Sequence, residues 1–145
     1  MIIDSDQIEQ LIPHRPPFLF LDKCQIIKNG FEGFGYKIFH TNEFFFKGHF
    51  PSYPIVPGVI LIEAMAQTAG VVVSKEYENY KHKNVLFMSV NKAKFRKPVH
   101  PEDEIIFKVK RINNVRSVYK FFGEAFVKNI RVCEAEFSAM ITYNN

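Results

Sequence analysis

Residues 48–70 read GHFPSYPIVPGVILIEAMAQTAG. Three prolines, Pro51, Pro54 and Pro57, fall within seven residues, and the most apolar run of the chain follows them. Pro57 suits the first turn of a helix, where a missing N–H costs nothing. From Gly58 to about Lys75 the pattern predicts one long helix, apolar nearly all round and so buried on most sides. One narrow stripe interrupts it. Positions i, i+4, i+7 and i+11 share a helix face, and from Glu63 these carry Gln67, Gly70 and Ser74. The stripe either faces water or small neighbours, or holds a partly buried carboxylate supported by Gln67. A carboxyl drawn out of water keeps its proton more tightly and can then act as a general acid.

Around this helix the chain reads mostly as β-structure. Upstream, Asp4 caps a short helix with Gln7 as its capping-box partner. Ile8, Leu11 and Ile12 share one face of it, and Pro13 ends it. Residues 18–21 read as a buried strand, Asn29-Gly30 as a hairpin turn, and residues 31–40 as a second strand bent by its glycines. Residues 41–57 form a loop. Downstream, the polar stretch 76–84 ends the long helix. Four strands follow over 84–95, 104–112, 115–129 and 130–143, with turns near Asn113-Asn114 and Asn129. In the last strand Cys133, Ala135, Phe137, Ala139 and Ile141 alternate with polar neighbours, the mark of a half-buried strand. The order is an α+β design, and a sheet wrapped round the long helix is the simplest way to cover it. With no repeat and no linker, residues 1–145 read as a single domain.

Composition narrows the function classes. The chain is 47% hydrophobic and 15% aromatic, with sixteen Phe and no Trp, which suits a large core or an apolar channel. A formal net charge of +4 leans toward an acidic or phosphate-bearing partner. Zinc-finger spacing and an RNP-like motif are both missing, which argues against nucleic acid. Cys24 and Cys133, without CxxC spacing, read as reduced core thiols. The acidic start MIIDSDQIEQ does not resemble a signal peptide, and Glu63 and Gln67 interrupt the apolar run before it reaches membrane-spanning length. A cytoplasmic protein is expected.

Three features then converge. His49 lies in the loop between Gly48 and Pro51, with Phe46 and Phe50 as apolar walls, and a neutral imidazole there is a competent base. The first N–H groups of the helix at Pro57-Gly58 have no helical partner, and the dipole there favours negative charge. Gly58 lets a ligand approach the backbone, so this is either plain helix initiation or an oxyanion site. A base (His49), an acid (Glu63) and an oxyanion donor (Gly58) suit removal of a proton α to a carbonyl with loss of a β-leaving group. No Ser or Cys accompanies His49 as a nucleophile. Neither HxH nor HExxH spacing offers a metal set, so no metal is expected.

These residues carry a resemblance. GHFPSYPIVPGVILIEAMAQ closely resembles the active-site segment of the β-hydroxyacyl-acyl-carrier-protein dehydratases of the FabZ type, in the spacing HFP-x-x-P-x-x-PG with a carboxylate five residues after the glycine. The likeness runs from IPHRPPFLFLDK to KAKFRKPVHPEDEI and the closing strands, nearly the whole chain. It implies a hotdog fold, a homodimer with a shared sheet, usually assembled as a trimer of dimers, and a site at the dimer interface. By position His49 matches the catalytic histidine, Glu63 the catalytic carboxylate, and Gly58 the glycine whose amide binds the thioester carbonyl. Gln67 supports Glu63. The implied substrate is a hydroxyacyl thioester on acyl carrier protein, an acidic partner, for which Lys92, Lys94 and Arg96 on one face of a strand are candidate docking residues. The stiff segment from His49 to Gly58 can extend, so His49 need not return to Glu63 of its own chain. Two departures or open points stand beside this. Glu102 replaces the family's usual glycine, which implies a strained or rearranged turn if that position needs a positive φ, and the roles of His14 and Arg15 stay open, with a structural loop role favoured. An acyl thioesterase and a non-catalytic acyl-binding protein are the rival readings.

Overall fold

A computed structural model of the chain describes residues 1–144 apart from 78, 80 and 81. At its start the Asp4 carboxylate accepts the Gln7 N–H at 2.9 Å, and the Gln7 side chain accepts the Asp4 N–H at 2.9 Å. That reciprocal cap starts α1 (Ser5–Leu11), which buries Ile8 and Leu11. Before it lies a two-residue edge strand, β1 (Ile2–Ile3), which the sequence reading missed. It pairs with β2 (Lys23–Lys28). Asn29-Gly30 turns β2 into β3 (Glu32–Ile38), with Gly30 at φ 76°.

The segment 18–21, expected as a strand, is not one. Leu19, Phe20 and Leu21 are buried, but the partner of this backbone is a side chain from the long helix rather than a neighbouring strand. Loop 41–57 contains a 3-10 turn over Phe44–Lys47. Its Phe45 meets Phe20 and Phe39 edge to face, so much of the phenylalanine excess goes to the core. Each such ring fully buried stabilises by roughly 1.5–3 kcal/mol.

The long helix is α2 (Gly58–Ser74), with Pro57 as its N-cap. A 3-10 turn, Lys75–Tyr77, prolongs it. Of the polar stretch 76–84, residues 78, 80 and 81 lie outside the described residues. With its extension the helix has 20 residues and is long and apolar enough to cross a membrane, yet most of it is buried inside the fold. It is a core helix.

Four long strands complete the sheet: β4 (His82–Phe95), β5 (Glu104–Val115), β6 (Val118–Val127) and β7 (Ile130–Asn144). Among the described residues seven strands run in the order β1-β2-β3-β5-β6-β7-β4, every neighbouring pair antiparallel. The turn expected at Asn113-Asn114 lies further on. Val115 pairs with Val118, and Arg116, at φ 55°, takes the left-handed position. Lys128 and Asn129, both at positive φ, make the turn into β7 with the twist that hairpins favour. Alternate residues of β5, β6 and β7, such as Phe107, Phe121 and Phe137, are fully buried and face α2, which packs against β3 through β7. Gly35 brings β3 close to the helix, since a Cβ there would run into Thr68 and Leu21. The sheet wraps the helix in a hotdog arrangement. Both cysteines are free and buried, and burial pushes the Cys133 thiol up to about 12.

Glu102 does stand at positive φ, 71°. Its carboxylate offsets that strain by accepting from the Thr41 N–H at 3.0 Å and meeting His40 Nδ1 at 2.9 Å. The His40 contact holds its carboxyl below the usual carboxylate range. Glu102→Ala removes the clamp but keeps a Cβ in left-handed backbone, whereas Glu102→Gly removes both. The alanine variant is expected to be less stable than the glycine variant by about 1 kcal/mol, read from urea midpoints. Equal midpoints would show that the turn is unstrained.

Candidate functional site

Gln67 is fully buried, and all of its amide groups are engaged. Oε1 accepts the Phe20 N–H at 2.8 Å, and Nε2 donates to the Phe18 carbonyl and to Glu63 Oε2, both at 3.0 Å. The amide orientation follows from this network. The stripe expected from the helix pattern therefore exists and faces inward: Gln67 and Ser74 are completely buried, and the Glu63 side chain is 17% exposed. A second group reaches Glu63. His14 Nε2 lies 3.3 Å from Glu63 Oε2. The sequence leaves the role of His14 open and favours a structural loop role, and nothing local in it signals this contact, because 49 residues separate the two. Arg15, its neighbour, does have a structural role. Its guanidinium donates to the carbonyls of Glu9, Ile12 and His14 at 2.7–2.9 Å, closing the end of α1.

His49 lies elsewhere. The segment 49–57 is not extended; it folds back on itself. Ile55 N–H bonds the His49 carbonyl at 3.1 Å, and Phe50 and Tyr53 exchange backbone bonds. Closing these bonds inside the loop satisfies backbone groups that an extended chain would leave to solvent. His49 Nδ1 lies 3.1 Å from the Ile55 carbonyl. A carbonyl only accepts, so Nδ1 carries the proton and Nε2 keeps its lone pair. The imidazole stacks on Phe50 at 4.3 Å between centroids.

His49 lines a groove of about 440 Å³ together with Pro57, Gly58, Val59, Phe95 and Val99. The Ile60 and Leu61 N–H groups return to the Pro57 carbonyl, while those of Gly58 and Val59 precede the first helical acceptor. Phe95 lies directly against Gly58, where any side chain would strike its ring. Thus His49 and Gly58 share one groove, and Glu63 and Gln67 form a second cluster. Glu63 is not among the residues lining the groove. Five helical residues turn Glu63 roughly 140° away from Gly58, while Val59, one turn before Glu63 on the same face, is 71% exposed.

The candidate docking strip is only partly free. A bulge between Asn91 and Lys94 breaks the alternation of β4, with Lys92 at φ 53°. Arg96 Nε donates to Glu134 Oε1 at 2.7 Å, and Lys92 Nζ lies 3.9 Å from Glu136. The Arg96 guanidinium holds the Glu134 carboxyl below its usual range. β7 thus supplies acids opposite these cations. Beside them, β4 forms one edge of the sheet and exposes Leu86, Phe87, Met88, Val90 and Phe95.

Gln67→Leu would keep the shape but leave the Phe20 N–H and the Phe18 carbonyl unpaired in the core. At about 1–3 kcal/mol for each unsatisfied group, a loss of about 3 kcal/mol in unfolding free energy is expected, measured by urea denaturation. A change below about 0.5 kcal/mol would mean that segment 18–20 does not depend on this amide.

A family model described as a FabA-like domain matches residues 12–136. The 3-hydroxyacyl-[acyl-carrier-protein] dehydratase FabZ of Gluconobacter oxydans (strain 621H) is 47% identical over 140 residues, covering 96% of this chain and 83% of that one. The protein of the same name from Sulfurimonas denitrificans is 41% identical over 146 residues, covering 97% and 98%. Among solved structures, the dehydratase heterocomplex ApeI:P from Xenorhabdus doucetiae superposes with a TM-score of 0.72 at 14% identity, covering 95% of this chain and 90% of that one. At that identity it speaks for the fold alone. The matched span and the identity over nearly full lengths establish that this chain belongs to the FabA-like family, among relatives named as FabZ dehydratases.

Proposed function

We propose that this protein dehydrates (3R)-3-hydroxyacyl groups carried as thioesters on acyl carrier protein, giving the trans-2-enoyl thioester and water in type II fatty acid synthesis. The relatives' names support the reaction. The observation that carries it is the groove in which a histidine with a free Nε2 lone pair stands beside the open N–H groups at the start of α2.

In this mechanism the Gly58 N–H polarises the thioester carbonyl, where charge develops as the α-proton leaves. His49 Nε2 takes that proton. Glu63 gives a proton to the β-hydroxyl, directly or through a water, and water departs as the double bond forms. The imidazolium then returns its proton to the Glu63 carboxylate through solvent, and the pair is reset. Gln67 orients Glu63, and the apolar groove beyond Phe95 receives the acyl chain. No cofactor or metal takes part in these steps.

His49 and Glu63 of one protomer lie in separate clusters, so the reading includes a homodimer whose sites combine His49 of one chain with Glu63 of the other. A long, apolar, unpaired edge such as β4 invites pairing with a second copy, and Val59 exposed beside Glu63 fits a face that a partner covers. Assembly as a trimer of dimers, a single working domain over the whole chain and a cytoplasmic setting belong to the same proposal. For the acidic carrier protein, Lys92, Lys94 and Arg96 are the docking candidates, with Arg96 placed at the groove.

His49→Ala is expected to lower hydration of a crotonyl thioester, followed by loss of ultraviolet absorbance, by roughly 10²–10⁴-fold, with an unchanged elution volume on size exclusion. A variant of normal size and full activity would refute the mechanism.

A further inference from the structure

His14 is not used by the mechanism above, yet its side chain is 13% exposed and its ring reaches the Glu63 carboxyl. Two N–H-bearing groups meet Glu63 at one oxygen. Gln67 Nε2 donates to Oε2 at 3.0 Å, and His14 Nε2 lies 3.3 Å from that same Oε2. Oε1 takes neither. The far side of the imidazole, Nδ1, is buried without a hydrogen-bond partner among the described residues. A proton at Nδ1 would be stranded, whereas Nε2 lies within reach of a carboxyl oxygen without making an aligned hydrogen bond to it in this structure, so the ring N–H is assigned to Nε2. The loop that carries His14 is itself held. Arg15 binds the carbonyls on both sides, those of Ile12 and His14.

We propose that His14 is a positioning residue for the acid: with Gln67 it clamps Glu63 Oε2 from two directions and so reserves Oε1 for the proton that goes to the departing hydroxyl. Gln67 alone leaves the carboxyl free to rotate about its last bond, and a second donor removes that freedom. The 3.3 Å separation shortens when the substrate expels water, as such contacts do on passing from the free enzyme to the reacting complex. The proposal rests on the reading of Glu63 as the acid.

The test is steady-state kinetics of His14→Leu, His14→Gln and Glu63→Gln on one hydroxyacyl thioester. Gln places an amide N–H where Nε2 stood, and Leu fills the space without a donor. His14→Leu is expected to lose roughly 10- to 100-fold in kcat with KM changed by less than about threefold, and His14→Gln to recover most of that loss. If Glu63→Gln is inactive while His14→Leu turns over like the wild type, the positioning role is wrong and the acid assignment stands. Equal losses in His14→Leu and His14→Gln also overturn the role, since shape rather than the donor would then matter. If Glu63→Gln keeps full turnover, the acid assignment fails and the role of His14 with it. Should His14→Leu not fold, His14→Asn replaces it. Its amide reaches only as far as Nδ1, so it is expected to be slower than His14→Gln, and equal rates would refute the clamp.

Discussion

The structure depends on one buried amide. Gln67 sits inside a helix that is otherwise apolar, fully removed from solvent, and spends its three hydrogen bonds on two backbone groups and one carboxyl. A polar side chain buried without partners would destabilise the core by several kcal/mol. Fully satisfied, it does the opposite. It holds the segment between α1 and β2 against the helix where no strand lies, and it fixes the carboxyl one turn upstream. The entry of the chain into the sheet and the orientation of Glu63 are therefore one constraint. His14, delivered by the same entry segment, adds its contact for the same reason.

A second constraint follows from helical geometry. Gly58 and Glu63 are close in sequence but face different ways on α2, so a groove built at the start of the helix cannot also contain Glu63. The loop carrying His49 closes on itself and stays with Gly58. A substrate that needs both an α-proton acceptor and a β-hydroxyl donor must meet two surfaces. The exposed β4 edge and the bare Val59 fit the proposed second copy.

The parts of this picture that were legible in the sequence are those set by local chemistry. The Asp4–Gln7 box, the Asn29-Gly30 hairpin, the span of α2, the inward alternation of β7 and the pairing of Glu63 with Gln67 all follow from spacings of four residues or fewer. What was missed depends on partners far away in the chain. Residues 18–21 have the composition of a strand, but their backbone bonds to a helix side chain. The turn expected at Asn113-Asn114 moved because cross-strand pairing carries β5 on to Val115 and Arg116 accepts the positive φ. The candidate docking cations Lys92 and Arg96 meet Glu136 and Glu134 of β7, acids far away in the chain. His14 looked like a loop residue because its partner is a helix residue brought near only by folding.

The central claim is that the acid and the base of one site come from two chains. Co-expression of a His49→Ala chain and a Glu63→Gln chain carrying different tags, with purification through both tags, enriches mixed dimers that hold one of each. If the site spans the subunits, one of the two sites in such a dimer is wild type and the other lacks both groups. Two inactive parents should then give a mixed dimer with about half the wild-type turnover. Mixed dimers that form normally yet stay as inactive as their parents would contradict the account.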